Sequence, residues 1–501
     1  MAESGNGSPI YGRRVYPLDA HELSEEQIAV AFAMTSRRPE PFDEIARQVS
    51  QEKAAEFHER WVLGYGHASV AEHAVVHLAV ENVSRLACDT LEDNRLASYT
   101  EKSSRYQVMP EDYFYSPREL DGQPDLARLY DETCRRLFKD YRGLIDGFME
   151  HLQQAVPRGE RERRQTYNMR LRRIATDNCR AVLPAALLTN VGVTANARVL
   201  EHAISKLLSS ELTEEQDLGL DLRQQARDIT PTLIKYAEPN PYLAGMPAAQ
   251  RALPREYLPE IPAGLHHSEG GGEDSPASGP SLTASPEPEV RLVHWDRQAE
   301  EKLAAALLYR QSDRGYDRIW QRVSEMPPEE RRDIVNRCVA GLGPHDAPAR
   351  EFELVDYTFE FLMDYGAYRE FKRHRMMTYV PQPLTVAHRY RVPDLLVEAG
   401  LGGMFQEAVG SAEEACREVR HHSPVAAQYL VTHAHYRRVL AKMNLRECYH
   451  LFKLRTSDLA HFSIRQPVLQ AMKLAMEVHP ELFRHLRLRD YPDWWPFPQS
   501  G

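Results

Sequence analysis

The sequence predicts an α+β protein made of two tandem copies of one helix-rich domain, each with a small sheet. Three observations lead to this prediction: the length of the chain, a central low-complexity segment, and similar blocks of residues on both sides of that segment. At 501 residues, the chain is longer than one hydrophobic core usually serves. Two or more domains are therefore expected.

The central segment separates the two copies. Residues 254–290 are rich in Pro, Gly, Ser and Glu and have few bulky apolar side chains in their C-terminal half. Such a composition cannot bury enough surface to offset the entropy of ordering the backbone. The sequence predicts a first domain at 1–250, a disordered linker at 251–290 and a second domain at 291–501.

Three blocks of residues recur in the same order in both halves. The pairs are 26–50 with 301–324, 64–99 with 341–379, and 194–208 with 440–455. Because chance similarity would not preserve the order of three blocks, the pattern indicates an internal duplication.

Each copy has the pattern of a mostly helical domain with a smaller extended part. Apolar residues recur at helical intervals at the start of each copy, and long amphipathic runs follow at 197–212 and 444–476. Residues 98–108 and 378–392 combine β-branched and aromatic side chains with turn formers, which predicts loop and strand.

Composition limits the compartment and the partners. Lys and Arg total 62 against 73 for Asp and Glu, so the net charge of −11 disfavours binding to nucleic acid or anionic membranes. The six cysteines form no C-x-x-C pair, and neither a signal peptide nor a membrane-spanning apolar run is apparent. We expect a cytoplasmic protein with small-molecule ligands and with no nucleic-acid or membrane partner.

The second copy places four cations in a row after an apolar helical run. They are Lys372, Arg373, His374 and Arg375. Guanidinium groups bind phosphate through two hydrogen bonds, and imidazole can donate to a phosphate or lie beside a flat ring. From the residues alone, a solvated basic helix end, which offsets the helix dipole, is the favoured explanation.

At the equivalent place, the first copy has a different set of polar residues. Glu101, Ser103 and Arg105 alternate, so in an extended segment they would share one face. A carboxylate, a hydroxyl and a guanidinium on one face can hold a phosphate ester and a sugar hydroxyl. A strand edge with alternating charge is the alternative.

Together, the two stretches resemble the signature R-H-R-x-x-S-x-N-E-x-S-x-R-Y of the flavin-dependent thymidylate synthases, the ThyX family. Residues 373–379 hold its opening part and residues 93–106 its later part. Four further blocks are similar to those of the family: "GHASVAEH" at 66–73, "CRAVLP" at 179–184, "NARVLEH" at 196–202 and "NLRECYHLFKLR" at 444–455.

The resemblance implies an active site to which two subunits contribute. One subunit holds deoxyuridylate, and the positions that match are Glu101, Ser103, Arg105 and Arg180. Glu370 stands where the family has a Gln that contacts the pyrimidine. The neighbouring subunit holds the flavin, and the positions implied are Ser69, Arg373, His374, Arg375, Asn444, Arg446 and His450. Arg455 matches an Arg that polarises the uracil ring, which makes it the predicted catalytic residue.

The two copies have lost complementary parts of this pattern. The first copy has Asp93, Asn94 and Leu207 at flavin and ring-polarising positions, and the second has Pro381, Pro383, Thr385 and Gln428 at nucleotide positions. We infer an intrachain pseudo-dimer that keeps one composite site, in keeping with the reciprocal contacts of a two-fold interface. Pairing of two chains would then give a homodimer that is a pseudo-tetramer.

The activity implied by the resemblance is reductive methylation of dUMP to dTMP. FAD would be the cofactor, NADPH its reductant and methylenetetrahydrofolate the carbon donor. Departures from the family pattern at Glu370, Thr100, Thr378 and 460–464 leave two alternatives open. One is a non-catalytic module that binds flavin or a nucleotide, and the other is a flavoenzyme that alkylates another pyrimidine.

The neighbourhood of Arg455 and one histidine-rich block complete the sequence predictions. An apolar stripe from Leu445 to Leu459 is predicted along a helix, with Arg455 at its edge. An Arg at the edge of a buried stripe needs an acceptor, either a structural carboxylate or a ligand.

His73 and His77 have the i, i+4 spacing of metal ligands but lie outside any H-E-x-x-H motif, so no metal is predicted.

Overall fold

The computed structural model describes residues 14–18, 22–65, 67–258 and 289–498. Most of the predicted linker, residues 259–288, lies outside the described residues. Residues 251–257 belong to a helix that ends at Tyr257. Within the described ranges, no helix combines the length and the apolar character that a bilayer crossing requires.

The chain packs as two compact units. The first unit contains residues 1–82, 90–101 and 190–249, and the second contains 83–89, 102–189 and 250–501. Residues 102–189, which come before the predicted linker, therefore pack with the C-terminal half of the chain.

Helices dominate the described residues. The α-helices are α1 (Glu25–Met34), α2 (Phe42–Gln48), α3 (Gln51–Phe57), α4 (Arg85–Leu91), α5 (Pro124–Ala155), α6 (Arg164–Cys179), α7 (Ala197–Leu208), α8 (Thr213–Arg227), α9 (Pro241–Tyr257), α10 (Ala299–Tyr309), α11 (Tyr316–Ser324), α12 (Pro328–Val339), α13 (Tyr365–Phe371), α14 (Asp394–Glu398), α15 (Gly402–His422), α16 (Pro424–Ala427), α17 (Leu445–Arg455) and α18 (Phe462–Val478). Short 3-10 helices include Ala68–His73, Arg180–Val182 and Gln428–Leu430, and a π-helix spans His58–Gly64.

The strands form two small sheets. They are β1 (Val75–Ser84), β2 (Ala97–Glu101), β3 (Leu188–Asn196), β4 (Val290–Trp295), β5 (Asp356–Asp364), β6 (Thr378–Pro381) and β7 (Tyr436–Asn444). The first sheet has the order β1-β3-β2 and the second the order β4-β5-β7-β6. The predicted α+β class, with a small sheet in each half, is confirmed.

The order of elements repeats along the chain. The series β1, α4, β2, α5, α6, a 3-10 helix, β3 and α7 has its counterpart in β5, α13, β6, α15, α16, a 3-10 helix, β7 and α17. In both sheets, the last strand of the series lies between the first two. This agreement fits the duplication that the sequence predicts.

Backbone hydrogen bonds in the second unit are also reciprocal between the copies. When Arg180 is aligned with Gln428, two bonds from the first copy to the second have equivalents in the opposite direction. The two pairs are Ala185 N to Val431 O with His433 N to Leu183 O, and Ala186 N to Tyr429 O with Ala434 N to Ala181 O. Such exchange is the signature of isologous contacts.

Burial and helix capping explain the elements nearest the candidate site. In β5, Tyr357, Phe359 and Phe361 are fully buried, so this strand forms part of the core of the second unit. Its last residue, Asp364, caps α13 because Oδ1 accepts a hydrogen bond from Ala367 N at 2.7 Å. Asn444 caps α17 in the same way, accepting from Glu447 N at 2.8 Å. These caps fix where both helices begin.

The structure corrects two sequence predictions. The alternating segment does not remain extended, because β2 ends at Glu101 and residues 104–106 form a turn. The predicted helical run 444–476 is interrupted between α17 and α18, and Leu459 in that connection is 60% exposed. Leu459 therefore lies outside the buried stripe, since the helix ends at Arg455.

Candidate functional site

In the second unit, a single buried carboxylate forms ion pairs with three guanidinium groups. Glu370, in the last turn of α13, is only 7% exposed. Arg455 Nη1 lies 3.3 Å from Glu370 Oε2, while Arg180 Nη2 and Arg105 Nη1 lie 3.6 and 4.0 Å from Oε1. We call Glu370, Arg105, Arg180 and Arg455 the arginine cluster. It combines residues from both predicted copies.

Arg105 is held by the end of α6. Its Nε and Nη2 donate to the two oxygens of Asp177 at 2.7 and 3.0 Å, which is the bidentate geometry of a strong ion pair. The Thr176 hydroxyl donates to the Arg105 carbonyl at 2.7 Å. Adjacent residues of one helix thus fix the backbone and the side chain of Arg105, which positions its remaining nitrogen toward Glu370.

Arg180 begins the 3-10 helix that follows α6. Its Nη1 donates to Ser104 Oγ at 3.2 Å. Burial lowers the pKa of Arg180 and of Arg455 from the ordinary guanidinium value, and the charge of Glu370 opposes the shift in both cases. The charge of Glu370 therefore offsets part of the desolvation cost of these two buried cations.

Arg455 connects the arginine cluster to a second group of buried side chains. Its Nε donates to His374 Nε2 at 3.0 Å. Because a guanidinium can only donate, His374 Nε2 must accept, and its Nδ1 then carries the proton that is donated to Glu447 Oε1 at 3.0 Å. His450 Nδ1 lies 3.3 Å from the same oxygen. This chain of contacts fixes the orientation of Arg455.

The protonation states of this group follow from burial and pairing. Burial lowers the pKa of His374, which keeps its ring neutral near neutral pH. For Glu447, burial alone would raise the pKa, but bonds from His374 and His450 lower it to about 2. A neutral imidazole between Arg455 and an ionised Glu447 matches the tautomer assigned from the hydrogen bonds.

A cleft lies beside Arg180. Its wall includes Asp177, Arg180, Asp364, Arg369, Arg391, His433, His461 and Ser463. Burial raises the pKa of Asp364 to about 6 and holds the pKa values of His433 and His461 well below the ordinary value. Neutral imidazoles and several guanidiniums on one wall can accept a polar, anionic ligand.

Comparison with known proteins gives the family. The family model described as thymidylate synthase complementing protein, Thy1, matches residues 18–232 and 291–481. This chain belongs to the Thy1 family. One matched region lies within each predicted copy, and the family resemblance read from the motifs is confirmed.

Individual relatives of the chain fall into two groups. A UPF0159 protein of Chlamydia muridarum is 30% identical over 457 residues, covering 88% of this chain and 82% of its own length. A UPF0159 protein of Thermoplasma acidophilum is 27% identical over 477 residues, covering 89% and 91%. A flavin-dependent thymidylate synthase of Clostridium tetani is 25% identical over 217 residues, covering 43% of this chain and 83% of its own length.

Several residues predicted from the Thy1 motifs lie together. Arg105, Arg180, Glu370, His374 and Arg455 form one connected set within the second unit. Ser103 precedes this set in a local turn, where its Oγ accepts from Arg105 N at 3.2 Å.

The remaining predicted residues have varied surroundings. Arg373 is exposed and Arg375 half-buried, directly after α13. Arg446 donates to Glu353 and to the Pro348 carbonyl, both at 2.8 Å. Glu101 and Ser69 belong to the first unit, where Glu101 pairs with Val191 in the sheet and Ser69 is exposed.

The sequence predictions missed two carboxylates that organise the site. Asp177 lies three residues before Arg180, near the end of a helix, so its proximity to the cluster could have been anticipated. Glu447 lies in the first turn of α17 and at i, i+3 from His450, a spacing that pairs side chains on a helix surface. Its contact with His374 joins residues distant in sequence and has no local signal.

The donors present allow a test of which groups the site can hold. Arg373 and Arg375 flank His374 in the sequence, and the exposed His450 ring contacts the His374 ring. These cationic and donor groups fit the diphosphate of a dinucleotide cofactor. Within the described part of the chain, one set of side chains has metal-ligand spacing: His374, Glu447 and His450, with ligand atoms within 4.8 Å. His374 in this set also accepts a hydrogen bond from Arg455, so the three side chains belong to the hydrogen-bonded chain that orients Arg455.

Replacement of Glu447 by Gln should remove an acid-sensitive part of the stability. A carboxyl whose pKa is about 2 when folded, against 4.5 ordinarily, contributes stability above pH 4.5 that is lost as the pH falls toward 2. This contribution amounts to at most about 3 kcal/mol. In urea unfolding, the stability difference between wild type and Glu447→Gln should narrow from pH 7 to about pH 4.

Glu325 is exposed at the C-terminal end of α11 and provides the control. The Glu325→Gln variant removes the same charge from the protein surface. Its unfolding free energy should follow that of the wild type at both pH values. An equal pH dependence for wild type and Glu447→Gln would contradict the assigned role of Glu447.

Proposed function

We propose that this protein is a flavin-dependent thymidylate synthase-like enzyme that catalyses the reductive methylation of dUMP to dTMP. The arginine cluster is the observation that carries the proposal. It brings two guanidiniums at nucleotide positions, Arg105 and Arg180, to the same carboxylate as Arg455, at the ring-polarising position. Methylenetetrahydrofolate would supply the carbon and NADPH the reducing equivalents.

The nucleotide side of the site is formed by residues of the first copy. Arg105 and Arg180 would bind the phosphate, since buried guanidiniums form strong charge-assisted bonds with phosphate oxygens. Ser103 would complete this side, and Glu101 matches the motif in sequence. The bidentate pair with Asp177 keeps Arg105 rigid, so little side-chain entropy is lost on binding.

Arg455 would act on the pyrimidine ring. As C5 of the uracil becomes nucleophilic, negative charge develops on the ring oxygens, and a fixed guanidinium stabilises that charge. His374 holds Arg455 Nε at 3.0 Å and is itself fixed by Glu447. Arg455 is therefore oriented before the substrate binds, which avoids a reorganisation cost during the reaction.

FAD, when bound, supplies the reducing equivalents that convert the C5 substituent to a methyl group. Arg373, Arg375 and His450 would hold it by their donor groups, with His374 beside the ring. Ser69, Asn444 and Arg446 match further flavin positions. Arg446 would need to exchange its bond to Glu353 for one to the cofactor.

The reciprocal backbone bonds between 181–186 and 429–434 support an intrachain pseudo-dimer. We propose that the complementary loss of motifs has left one composite site per chain in this arrangement. Two chains would pair as a homodimer that is a pseudo-tetramer, in the cytoplasm.

The visible spectrum of the purified protein and one anaerobic reaction test the proposed function. We expect bound flavin, and we expect reduced flavin to be reoxidised without oxygen only when dUMP and methylenetetrahydrofolate are both present, with dTMP formed. Omission of either substrate is the control. Stable reduced flavin in the complete mixture would contradict the proposal, and replacing dUMP by other pyrimidine nucleotides identifies a different substrate.

A non-catalytic binding protein is the second candidate. Glu370 favours it, because a carboxylate at the position of the family's Gln offers acceptors only and cannot reproduce both contacts of an amide. A colourless protein whose melting temperature rises with a nucleotide would support this alternative over the enzyme.

A further inference from the structure

Glu370 fills the point on which the arginine cluster converges. One nitrogen from each of three guanidiniums lies 3.3 to 4.0 Å from its carboxylate, and the side chain is 7% exposed. The other described bonds of these guanidiniums go to Asp177, Ser104 and His374. The Arg105 and Arg180 nitrogens that face Glu370 Oε1 are the ones that the phosphate of a substrate would use.

The contacts with Glu370 are looser than optimal hydrogen bonds. The Arg455 contact, at 3.3 Å, is a long hydrogen bond, while the contacts at 3.6 and 4.0 Å are ion pairs without hydrogen bonds. A carboxylate has two oxygens for three guanidiniums. A phosphate group has three and matches guanidinium nitrogens well, so it can make shorter bonds to the Arg105 and Arg180 nitrogens.

The charge balance also indicates that either a phosphate or Glu370, but not both, occupies the arginine cluster. Arg105, Arg180 and Arg455 carry three positive charges, and Asp177 and Glu370 already offset two of them. A phosphate dianion beside an unmoved Glu370 would place like charges next to each other in a buried space, where screening by water is weak. Binding of the phosphate therefore requires that Glu370 leave the cluster.

We propose that Glu370 is an internal counter-ion that occupies the anion-binding position of the free protein and is displaced by the phosphate of the substrate. This proposal rests on the proposed function for the identity of the nucleotide. Glu370 keeps the buried guanidiniums paired when no ligand is bound. It thereby affects specificity, because it weakens the binding of phosphate-bearing ligands more than the binding of an uncharged nucleoside.

Isothermal titration calorimetry on the full chain tests the proposal with three probes: dUMP, deoxyuridine and inorganic phosphate. The Glu370→Gln variant keeps the shape of the side chain and removes its charge. We expect it to bind inorganic phosphate about tenfold more tightly, or better, and to gain more affinity for dUMP than for deoxyuridine. Glu325→Gln, which removes an exposed charge, should bind all three probes as the wild type does.

Equal affinity for inorganic phosphate in wild type and Glu370→Gln would overturn the proposal. A gain in deoxyuridine affinity as large as the gain in dUMP affinity would also overturn it. If circular dichroism shows the variant to be unfolded, the wild type decides: a dUMP affinity less than about tenfold above that of deoxyuridine supports displacement, and a larger ratio contradicts it. The inorganic phosphate titration needs no pyrimidine. A failure of the proposed function, seen as no reoxidation of flavin by dUMP and folate, is thus distinguished from a failure of this proposal.

Discussion

Replacement of Arg455 by Ala is expected to lower the rate of flavin reoxidation by dUMP and methylenetetrahydrofolate by about 10²–10³-fold or more. In the proposed mechanism, no other side chain is aimed at the charge that develops on the uracil ring. The flavin should remain bound, since Arg455 contacts His374 and Glu370 rather than the exposed Arg373. Stopped-flow absorbance and the visible spectrum of the variant measure both quantities.

The Arg455→Lys variant separates charge from geometry. Lysine keeps the positive charge but lacks the guanidinium fork that holds His374 and Glu370 at once, so it should restore only a small part of the rate. Arg337→Ala, at an exposed position that pairs with Asp333 on α12, is the matched control and should leave the rate unchanged. Wild-type turnover in Arg455→Ala would remove Arg455 from the mechanism.

Replacement of Arg373 by Ala is expected to bleach the purified protein. A guanidinium that binds the diphosphate of the cofactor contributes through charge-assisted bonds, so its loss should weaken cofactor binding by about tenfold or more. The ratio of flavin absorbance to protein absorbance after gel filtration measures the retained cofactor.

Arg95, which lies in the corresponding segment of the first copy, provides the control. It is exposed, as Arg373 is, and follows Asp93 and Asn94 where the family has Arg and His. Arg95→Ala should therefore keep its flavin. Equal loss of flavin from both variants would contradict a single composite site, because it would require that the two copies bind cofactor alike.

Much of the fold could be predicted because it depends on local signals. Helical periodicity predicted α1 and α10, and the turn formers and β-branched residues around 98–108 and 378–392 predicted β2 and β6. The duplication was visible because both copies retain three blocks in the same order. Capping residues such as Asn444 also give a local signal, since their side chains bond to the first turn of the helix.

For the candidate site, the sequence predicted the motif residues but not the partners that they contact. The sequence suggested that Arg455 needs an acceptor, but the choice of Glu370 and His374 depends on contacts between residues more than eighty positions apart. Asp177 could have been anticipated from its place three residues before Arg180, whereas the pairing of Glu447 with His374 became apparent only from the structure. The alternation around Ser103 was misread because the chain turns after Glu101, and periodicity cannot show where a strand ends.

Anaerobic single-turnover oxidation of reduced flavin in a pair of mirror-position variants tests the central claim most directly. Arg105 belongs to the arginine cluster, and Thr385 occupies the corresponding position in the second copy. With folate and subsaturating dUMP, Arg105→Ala should slow the oxidation by about tenfold or more, whereas Thr385→Ala should match the wild type. Equal rates in the two variants, or a larger loss for Thr385→Ala, would contradict a site that draws its nucleotide-binding residues from one copy only.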